Sequence, residues 1–358
     1  MLRHPLAKPE APCKRDRIMS RFLTAHAAAL PSTVPFTGPE TLERRTGIPF
    51  RARLGANESL FGPSPKAIAA MRAATTEAWM YGDPENHDLK QALAAHLGVS
   101  SGHIAIGPGI DNLLGLLCRL VLEPGTPVVT SLGAYPTFNF HVAGFGGVLT
   151  RVPYRGDHED PEALVAAARA TGAKLIYFAN PDNPMGSHHP AAVVEAMVAN
   201  LPEGTLLILD EAYADLAPPG TVPTIPADHP QVIRMRTFSK GYGLAGARVG
   251  YAITNPDLAL AFDKVRDHFG MGRVSQAGAL ADQDWLASVK TRTIQARDRL
   301  SAIARTNGLM PLPSATNFVT VDCGRDGDHA RRILTELGRL GVFIRMPGHA
   351  GRRAGLHV

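Results

Sequence analysis

Residues 232–241, Val-Ile-Arg-Met-Arg-Thr-Phe-Ser-Lys-Gly, decide the fold class of this chain. They contain a short strand-like run, Val232–Arg236, that leads into two hydroxyl side chains and Lys240. Similar short runs, bounded by Gly, Pro, Asn or Asp, recur along the chain and are typical of strands buried on both faces. Stretches with helical periodicity separate them, and this alternation indicates a mostly parallel sheet covered on both sides by helices. The sequence therefore predicts an α/β fold.

The predicted elements divide the chain into two main parts. In the first part we predict five strands, at Pro127–Thr130, Lys174–Ala179, Thr205–Leu209, Val232–Arg236 and Arg248–Thr254. Helical periodicity in that part covers Lys66–Ala74, His87–Leu97, Ile110–Leu122, Pro161–Thr171 and Pro190–Leu201. After Asn255 we predict helices at Asp257–Phe269, Trp285–Thr306 and Asp328–Leu340, with strands at Asn317–Asp322 and Val342–Met346. This pattern predicts a large domain at 57–255 and a smaller α+β domain at 256–358, with which the segment 21–56 packs.

The composition is that of a protein with a well-buried core. Of the 358 residues, 45% are apolar and 19% are charged, and the net charge is +5. This mild charge favours small anions and gives no indication of nucleic-acid binding, which needs a clustered basic face. No apolar run reaches the ~18 residues that span a bilayer, so no membrane segment is expected. The three cysteines show no metal-site spacing, and we expect reduced thiols in a cytoplasmic protein.

The N-terminal residues 1–20 differ from the rest of the chain. They are basic and contain three prolines. They lack the apolar stretch and the small-residue cleavage site of a secretory signal. We interpret them as a disordered leader, and Met19 is an alternative natural start.

Polar side chains follow three of the predicted strands and precede one helix. They stand in the segments Gly107–Asp111, Asn180–Pro184, Asp210–Tyr213 and Thr237–Gly241. Ligands of parallel sheets bind at the carboxyl ends of the strands, so these segments are expected to meet in one cleft.

This ordered set of segments, with Arg248 eight residues beyond Lys240, closely resembles fold-type I aminotransferases that use pyridoxal 5′-phosphate (PLP). Within that family the chain is most similar to the histidinol-phosphate aminotransferase branch, from about Leu54 to Met346. The resemblance implies a mostly parallel, seven-stranded type of sheet sandwiched by helices, with a smaller α+β domain. It also implies a transaminase that moves an amino group between an α-amino acid or amino-alkyl phosphate and a 2-oxo acid.

The resemblance implies three catalytic residues, Lys240, Asp210 and Tyr213, of which Tyr213 is also a contact of the cofactor. Lys240 matches the lysine that binds the PLP aldehyde as a Schiff base and later moves the substrate's α-proton. A lysine can do this when desolvation near positive charge leaves its amine neutral. Asp210 matches the carboxylate that keeps the pyridine nitrogen of PLP protonated. The simpler role for Asp210 is a helix N-cap, which aspartate also favours.

The remaining cofactor contacts are also implied by the resemblance. A phosphate dianion suits backbone N–H groups at a helix start, hydroxyl groups and an arginine. Asn183 and Tyr213 match the donors to the phenolic oxygen, although Asn183 also suits a plain turn. Tyr135 matches the aromatic residue that stacks on the ring, and its alternative role is a core aromatic at a strand end. The matches to the phosphate site are Gly109, Ile110, Asp111, Thr237, Ser239 and Arg248.

Two further matches concern the partner subunit and the substrate. Tyr81 resembles the tyrosine that the second subunit of the family lends to the cofactor phosphate, which implies a homodimer with shared sites. Asn57, in Gly-Ala-Asn-Glu-Ser, resembles an element on the substrate side. The adjacent His188 and His189 point in different directions at a helix start, so we predict no metal site.

The resemblance breaks down near residue 358. Relatives continue past the last strand with an arginine that binds the substrate carboxylate, and this chain has no such motif before Val358. Arg345 is the best remaining candidate for that contact, with a solvent-exposed strand-end cation as the alternative. Arg352 and Arg353 stand in a glycine-flanked tail. We therefore expect weak substrate binding for the chain as given, and a small domain that is shortened.

Other functions remain open from the sequence alone. The same lysine, aspartate and phosphate site serve PLP-dependent decarboxylases, racemases and lyases of this fold. A protein that binds PLP with impaired turnover would fit the unusual C-terminal segment. A regulator with an aminotransferase-like effector domain is disfavoured, because the residues before Asn57 show no helix-turn-helix pattern.

Overall fold

The computed structural model describes residues 22–31, 36–279, 283–347 and 355–357. Contacts divide the chain into two compact units, residues 1–34 and 35–358. The described part of the first unit contains one helix, α1 (Ala25–Ala29), whose N-cap Thr24 accepts a hydrogen bond from the Ala27 amide at 3.1 Å. The predicted leader at 1–20 lies outside the described residues.

The second unit alternates strands and helices through its first two thirds. Its strands are β1 (Ala52–Arg53), β2 (Ile104–Gly107), β3 (Pro127–Ser131), β4 (Val148–Val152), β5 (Leu175–Ala179), β6 (Leu206–Asp210), β7 (Val232–Thr237), β8 (Gly250–Ile253), β9 (Met310–Pro311), β10 (Thr320–Asp322), β11 (Val342–Phe343) and β12 (Gly355–His357). Its helices are α2 (Pro39–Thr46), α3 (Pro65–Thr75), α4 (His87–Leu97), α5 (Ile110–Val121), α6 (Pro136–Gly144), α7 (Pro161–Thr171), α8 (Ala191–Ala199), α9 (Pro256–Ala261), α10 (Arg273–Gly278), α11 (Gln283–Thr306) and α12 (Gly327–Arg339).

Seven of these strands form the central sheet, in the order β2-β8-β7-β6-β5-β3-β4. Strands β7, β6, β5, β3 and β4 pair in parallel, and β8 pairs antiparallel with both β2 and β7. The carboxyl ends of β5, β6 and β7 are therefore adjacent at one edge. The predicted α/β fold with a mostly parallel sheet is confirmed.

Both faces of the sheet are covered by helices. All five residues of β5 are buried, and their side chains alternate between two cores. Leu175 and Tyr177 pack in the cluster that contains α5 and α6 residues, whereas Ile176 and Phe178 pack with α7 and α8. Since successive side chains of a strand point to opposite faces, a continuous apolar run is what two covered faces require.

Two small sheets lie outside the central one. Strands β9, β10 and β12 form an antiparallel sheet, and β1 pairs in parallel with β11, with Ala52 opposite Val342. A segment from before residue 57 is thus hydrogen-bonded to a strand near residue 343. The division into domains at residue 255 remains a prediction.

The long helix predicted at Asp257–Phe269 is wrong. Helix α9 ends at Ala261, and a single 3₁₀ turn follows at Phe262–Lys264. Beyond this turn the Val265 carbonyl accepts a hydrogen bond from Arg119 Nη1 at 3.0 Å. The Phe262 side chain is buried in the central core.

The sequence prediction also missed several elements. Strand β4 lies at the sheet edge and is only partly buried, so its sequence has no continuous apolar run. Strand β2 has four residues, and β12 lies in the tail for which no strand was predicted. Among the described residues, no helix is both long and apolar enough to cross a membrane.

Gly250, at the start of β8, lies where the sheet packs closely against the backbone at the start of α5. A Cβ atom there would lie 2.6 Å from the Ile110 amide nitrogen, which is backbone and cannot move aside freely. We expect Gly250→Ala to lower the free energy of unfolding by about 1–3 kcal/mol, the usual cost of overpacking. The matched control is Gly338→Ala on α12, where an added Cβ meets nothing within 4 Å. Thermal unfolding checks this, and equal midpoints for the two variants would contradict it.

Candidate active site

One cavity of about 300 Å³ opens where the strands β5, β6 and β7 end. It collects side chains from the loops that follow these strands, from the start of α5, and from the segment after β1. The residues that line it are Ala56, Glu58, Ile110, Asp111, Tyr135, Tyr177, Ala179, Pro181, Asn183, Asp210, Ala212, Tyr213, Thr237, Ser239, Lys240, Ala245 and Arg248. Ten of the residues predicted from the sequence to bind a cofactor are among them, and Gly109 and Tyr81 are not.

Lys240 follows β7 and is partly buried beside the cavity. Its Nζ donates a hydrogen bond to the Asn57 carbonyl oxygen at 3.0 Å and lies 5.5 Å from the centre of the Tyr213 ring. Burial lowers the pKa of the Lys240 amine to about 8, because desolvation disfavours the charged form. The cations Arg345 and Arg248 also lower this pKa. At pH 7 roughly a tenth of this amine is therefore neutral and nucleophilic, far more than for a lysine with an ordinary pKa.

Asp210 is the last residue of β6, and its carboxylate is buried in the same cavity. Oδ2 accepts a hydrogen bond from the Tyr177 hydroxyl at 2.6 Å, and Oδ1 accepts one from the Ala212 amide at 2.9 Å. Burial raises the pKa of Asp210 above its ordinary value, while these two hydrogen bonds act to lower it. The carboxylate is thus suited to face a cationic group within the cavity.

A group of anion-binding atoms lies at another part of the cavity. Gly109 is the N-cap of α5 and adopts φ = +89°. Because glycine has no side chain, no side-chain cap binds the first amides of that helix. This positive φ favours glycine, and a Cβ on Gly109 would lie 2.3 Å from Arg248 Nη2 and require that side chain to shift. Arg248 Nη1 donates to Ser239 Oγ at 3.4 Å, and Ser239 Oγ accepts from Thr237 Oγ1 at 2.9 Å. Helix amides, hydroxyl groups and a guanidinium together suit a phosphate dianion.

Asp111 brings a negative charge to this anion-binding group. Its Oδ1 lies 2.8 Å from His141 Nε2 on α6. One carboxylate oxygen of Asp111 is therefore in contact with the imidazole ring of His141. Its backbone amide, in the first turn of α5, is the atom that suits a phosphate.

Tyr213 lies between the side-chain amides of Asn57 and Asn183. Its hydroxyl oxygen accepts a hydrogen bond from Asn57 Nδ2 at 3.2 Å and from Asn183 Nδ2 at 3.4 Å. The Asn57 carbonyl also accepts from Asn317 Nδ2 at 3.0 Å, and Asn57 Oδ1 is buried without a partner among the described residues. Asn57 therefore joins Lys240, Tyr213 and Asn317, three parts of the chain that are far apart in sequence.

Arg345 and Tyr135 are joined by a residue that the sequence analysis missed. The Phe36 ring lies 5.9 Å from the ring of Tyr135, centre to centre, and 4.6 Å from the Arg345 guanidinium carbon. Among the described residues, no carboxylate forms an ion pair with Arg345. Desolvation lowers the pKa of Arg345, yet a guanidinium stays charged at any ordinary pH. Arg352 and Arg353 lie outside the described residues.

A buried pair of carboxyl groups behind the site was also missed. Glu159 accepts hydrogen bonds from Ser131 Oγ at 2.5 Å and the Ala179 amide at 3.0 Å, at the ends of β3 and β5. Asp182 accepts from the Tyr154 hydroxyl at 3.1 Å. Burial raises the pKa of Asp182 to about 7 and that of Glu159 well above its ordinary range. The pair supports the loop that carries Asn183.

Tyr81 does not line the cavity of its own subunit. Its side chain is 75% exposed, and its ring lies 4.5 Å from that of Phe269, which is also exposed. His189 Nε2 lies 2.8 Å from the Glu159 carbonyl oxygen, a structural contact. Among the described residues, no group of three His, Cys, Asp or Glu side chains is arranged to hold a metal ion.

Comparison with known proteins defines the class. Residues 52–346 match the family Aminotransferase class I and II. The crystal structure of histidinol-phosphate aminotransferase from Sinorhizobium meliloti, in complex with pyridoxal-5′-phosphate, is 55% identical and superimposes with a TM-score of 0.90. The alignment covers 94% of this chain and 92% of that one. The chain belongs to the class I and II aminotransferase family and is a PLP-dependent transaminase of fold type I.

Two curated relatives carry the same name as that structure. Histidinol-phosphate aminotransferase 1 of Nitrosococcus oceani is 34% identical over 335 residues, which are 91% of this chain and 90% of the relative. Histidinol-phosphate aminotransferase of Moorella thermoacetica is 32% identical over 319 residues, 87% and 82% of the two chains. The predicted family, fold, cofactor and reaction class are confirmed, and the roles of individual residues remain predictions.

The pKa of Lys240 leads to a prediction about cofactor capture. We expect the rate at which PLP-free protein forms its borohydride-reducible adduct to rise with pH and to level off above about 8. Below its pKa of about 8 the amine is mostly protonated and not nucleophilic. The rate is divided by that of PLP with Nα-acetyllysine in the same buffers, which removes the cofactor's own titration.

Peptide mapping of the reduced protein locates the adduct, and Lys240→Ala measures the background from surface lysines. A normalised rate that behaves like an ordinary lysine up to pH 10 would contradict the shifted pKa. An adduct on another lysine would contradict the role of Lys240.

Proposed function

We propose that this enzyme transfers an amino group between histidinol phosphate and a 2-oxo acid, with 2-oxoglutarate as the acceptor. One observation carries the proposal: a single cavity combines an amine, a buried carboxylate and an anion-binding group. Arg345, which pairs with no carboxylate among the described residues, lies close enough to lower the pKa of Lys240. The relatives named above support the choice of amino donor. Such a donor has an amine for the chemistry and a phosphate that must be matched by positive charge.

The cavity fits PLP at each of its functional groups. Lys240 would hold the aldehyde, and Asp210 would face the pyridine nitrogen. Asn183 and Tyr213 would contact the phenolic oxygen, and Tyr135 the ring face. The phosphate would bind to the anion-binding group, which consists of Gly109, Ile110, Asp111, Thr237, Ser239 and Arg248.

When bound, PLP withdraws electrons from the α-carbon of the attached amine, which makes the α-proton acidic. The residues of the chain then control that proton. The Lys240 amine, with its pKa lowered to about 8 by burial, can take up the proton and release it again within the cavity. The Asp210 carboxylate holds a proton on the ring nitrogen opposite. Burial of both groups keeps water from competing for these contacts.

Arg345 is proposed to bind the anionic group of the substrate. We expect Arg345→Ala to raise the KM for histidinol phosphate and 2-oxoglutarate by about 10- to 100-fold, since a charge-assisted contact contributes roughly 1.5–3 kcal/mol. The Kd for PLP should change by less than about twofold, because Arg248 binds the cofactor phosphate instead. Initial-rate kinetics and absorbance titration of PLP measure the two effects.

The control is Arg339→Ala, which removes an exposed arginine that pairs with Glu336 on α12. Unchanged KM values in Arg345→Ala would show that another group binds the substrate anion. A higher kcat/KM for phenylalanine or aspartate than for histidinol phosphate would overturn the proposed donor.

We also propose a homodimer in which Tyr81 completes the site of the partner subunit. Tyr81 and Phe269 form an exposed aromatic pair, and Trp79 beside them is 83% exposed. Large exposed aromatic side chains are typical of protein interfaces. Tyr81 cannot act in its own cavity from this position, so a second copy is the simplest recipient.

Subunit exchange tests this arrangement. A mixture of Tyr81→Phe and Lys240→Ala proteins should recover activity, because each mixed dimer has one site with both residues intact. Mixing Asp210→Asn with Lys240→Ala should recover none, because each site then keeps one lesion. Activity is measured after mass spectrometry has verified that the subunits have exchanged. If the first mixture recovers no activity, Tyr81 serves its own subunit.

A cytoplasmic location is proposed from the cysteines. Cys118 and Cys323 are buried free thiols, which suits a reducing compartment.

A further inference from the structure

We propose that Tyr177 is a positioning residue for this reaction: its hydroxyl holds the Asp210 carboxylate in place, and ionised, against the pyridine nitrogen of PLP. The inference rests on the proposed role of Asp210. It adds a residue from β5 to a function otherwise assigned to the end of β6.

The geometry of the contact is specific. The Tyr177 hydroxyl donates to Asp210 Oδ2 at 2.6 Å, a length typical of a charge-assisted O–H···O⁻ bond. Among the described residues, it is the one side chain that donates to this carboxylate, and the Ala212 amide serves the other oxygen. Since β5 and β6 are parallel neighbours, the sheet itself places these residues together.

Packing holds the tyrosine in this orientation. Tyr177 is 1% exposed, and its ring stacks on that of Phe138 at 4.7 Å and 16°. Tyr177 also lines the cofactor cavity. A hydroxyl fixed at the cavity wall can orient a carboxylate without loss of side-chain freedom when the cofactor binds.

The electrostatic need for the contact follows from burial. An ionised carboxylate without donors is costly in a desolvated site, and its pKa rises until it is neutralised. The hydrogen bond from Tyr177 opposes that rise. A neutral Asp210 could not keep the pyridine nitrogen protonated, and the electron-withdrawing chemistry would weaken.

Tyr177→Phe removes the hydroxyl and keeps the stacked ring. We expect it to raise the Kd for PLP about tenfold, which corresponds to about 1.4 kcal/mol. In holoenzyme with ¹⁵N-labelled PLP, the pyridine nitrogen resonance should move toward its unprotonated position. A merely structural role would not move this resonance. The matched control is Tyr251→Phe, another buried tyrosine of the same sheet, whose residue does not line the cavity.

A double-mutant cycle shows whether Tyr177 acts through Asp210. Asp210→Asn should weaken PLP binding more than Tyr177→Phe does, and adding Tyr177→Phe to it should change the Kd by less than about twofold. Thermal unfolding of the PLP-free proteins separates a folding defect, which both hydroxyl deletions would share, from an effect on the cofactor.

The outcomes are distinguishable. If Asp210→Asn weakens PLP binding and Tyr177→Phe changes neither Kd nor the resonance, the inference fails and the role of Asp210 stands. If the double variant binds about tenfold more weakly than Asp210→Asn alone, Tyr177 acts independently of the carboxylate and the inference also fails. If Asp210→Asn itself has no effect, the proposed role of Asp210 fails, and the inference fails with it.

Discussion

The site depends on one constraint: two ionisable side chains, at and after the carboxyl ends of β6 and β7, are buried away from water. Asp210 and Lys240 meet in one cavity where desolvation disfavours the charged form of each. A buried charge without partners is too costly to retain, so each group requires fixed hydrogen-bond partners. The Tyr177 hydroxyl and the Ala212 amide serve the carboxylate, and the Asn57 carbonyl serves the amine. The reactive state of both groups is therefore a property of their surroundings.

The same constraint explains why distant segments converge on the cavity. The sheet supplies β5, β6 and β7, but the partner of Lys240 comes from residue 57, and Asn317 orients that partner from the C-terminal part of the chain. The pairing of β1 with β11 ties these two regions together. Phe36 then links Tyr135, on the proposed cofactor side, to Arg345, on the proposed substrate side. The residues proposed for cofactor and for substrate are thus joined by one packed side chain.

The local sequence pattern was enough to predict a strand wherever helices cover both of its faces. Strands β5 and β6 are almost wholly buried, β7 is mostly buried, and polar residues follow all three. Their ends and the cavity at that edge of the sheet could therefore be predicted. The pattern failed where long-range contacts decide the backbone. Helix α9 ends at Ala261, and the Val265 carbonyl beyond it accepts a hydrogen bond from Arg119 on α5. Strand β4 is an edge strand that is only partly buried, and β12 pairs with β10, which lies well before it in the sequence.

By itself the sequence determined the fold class, because short apolar runs and the polar groups that follow them are local features. The resemblance of these ordered segments to a known family implied the cofactor and the candidate reactive residues. Only the tertiary structure decided what those residues become chemically. It places the Tyr177 hydroxyl on Asp210, joins Asn57 to Lys240, joins Glu159 to the Ala179 amide at the end of β5, and leaves Tyr81 outside its own cavity. The physical reason is that pKa and orientation depend on desolvation and on partners that are distant in sequence, and residue order does not encode these locally.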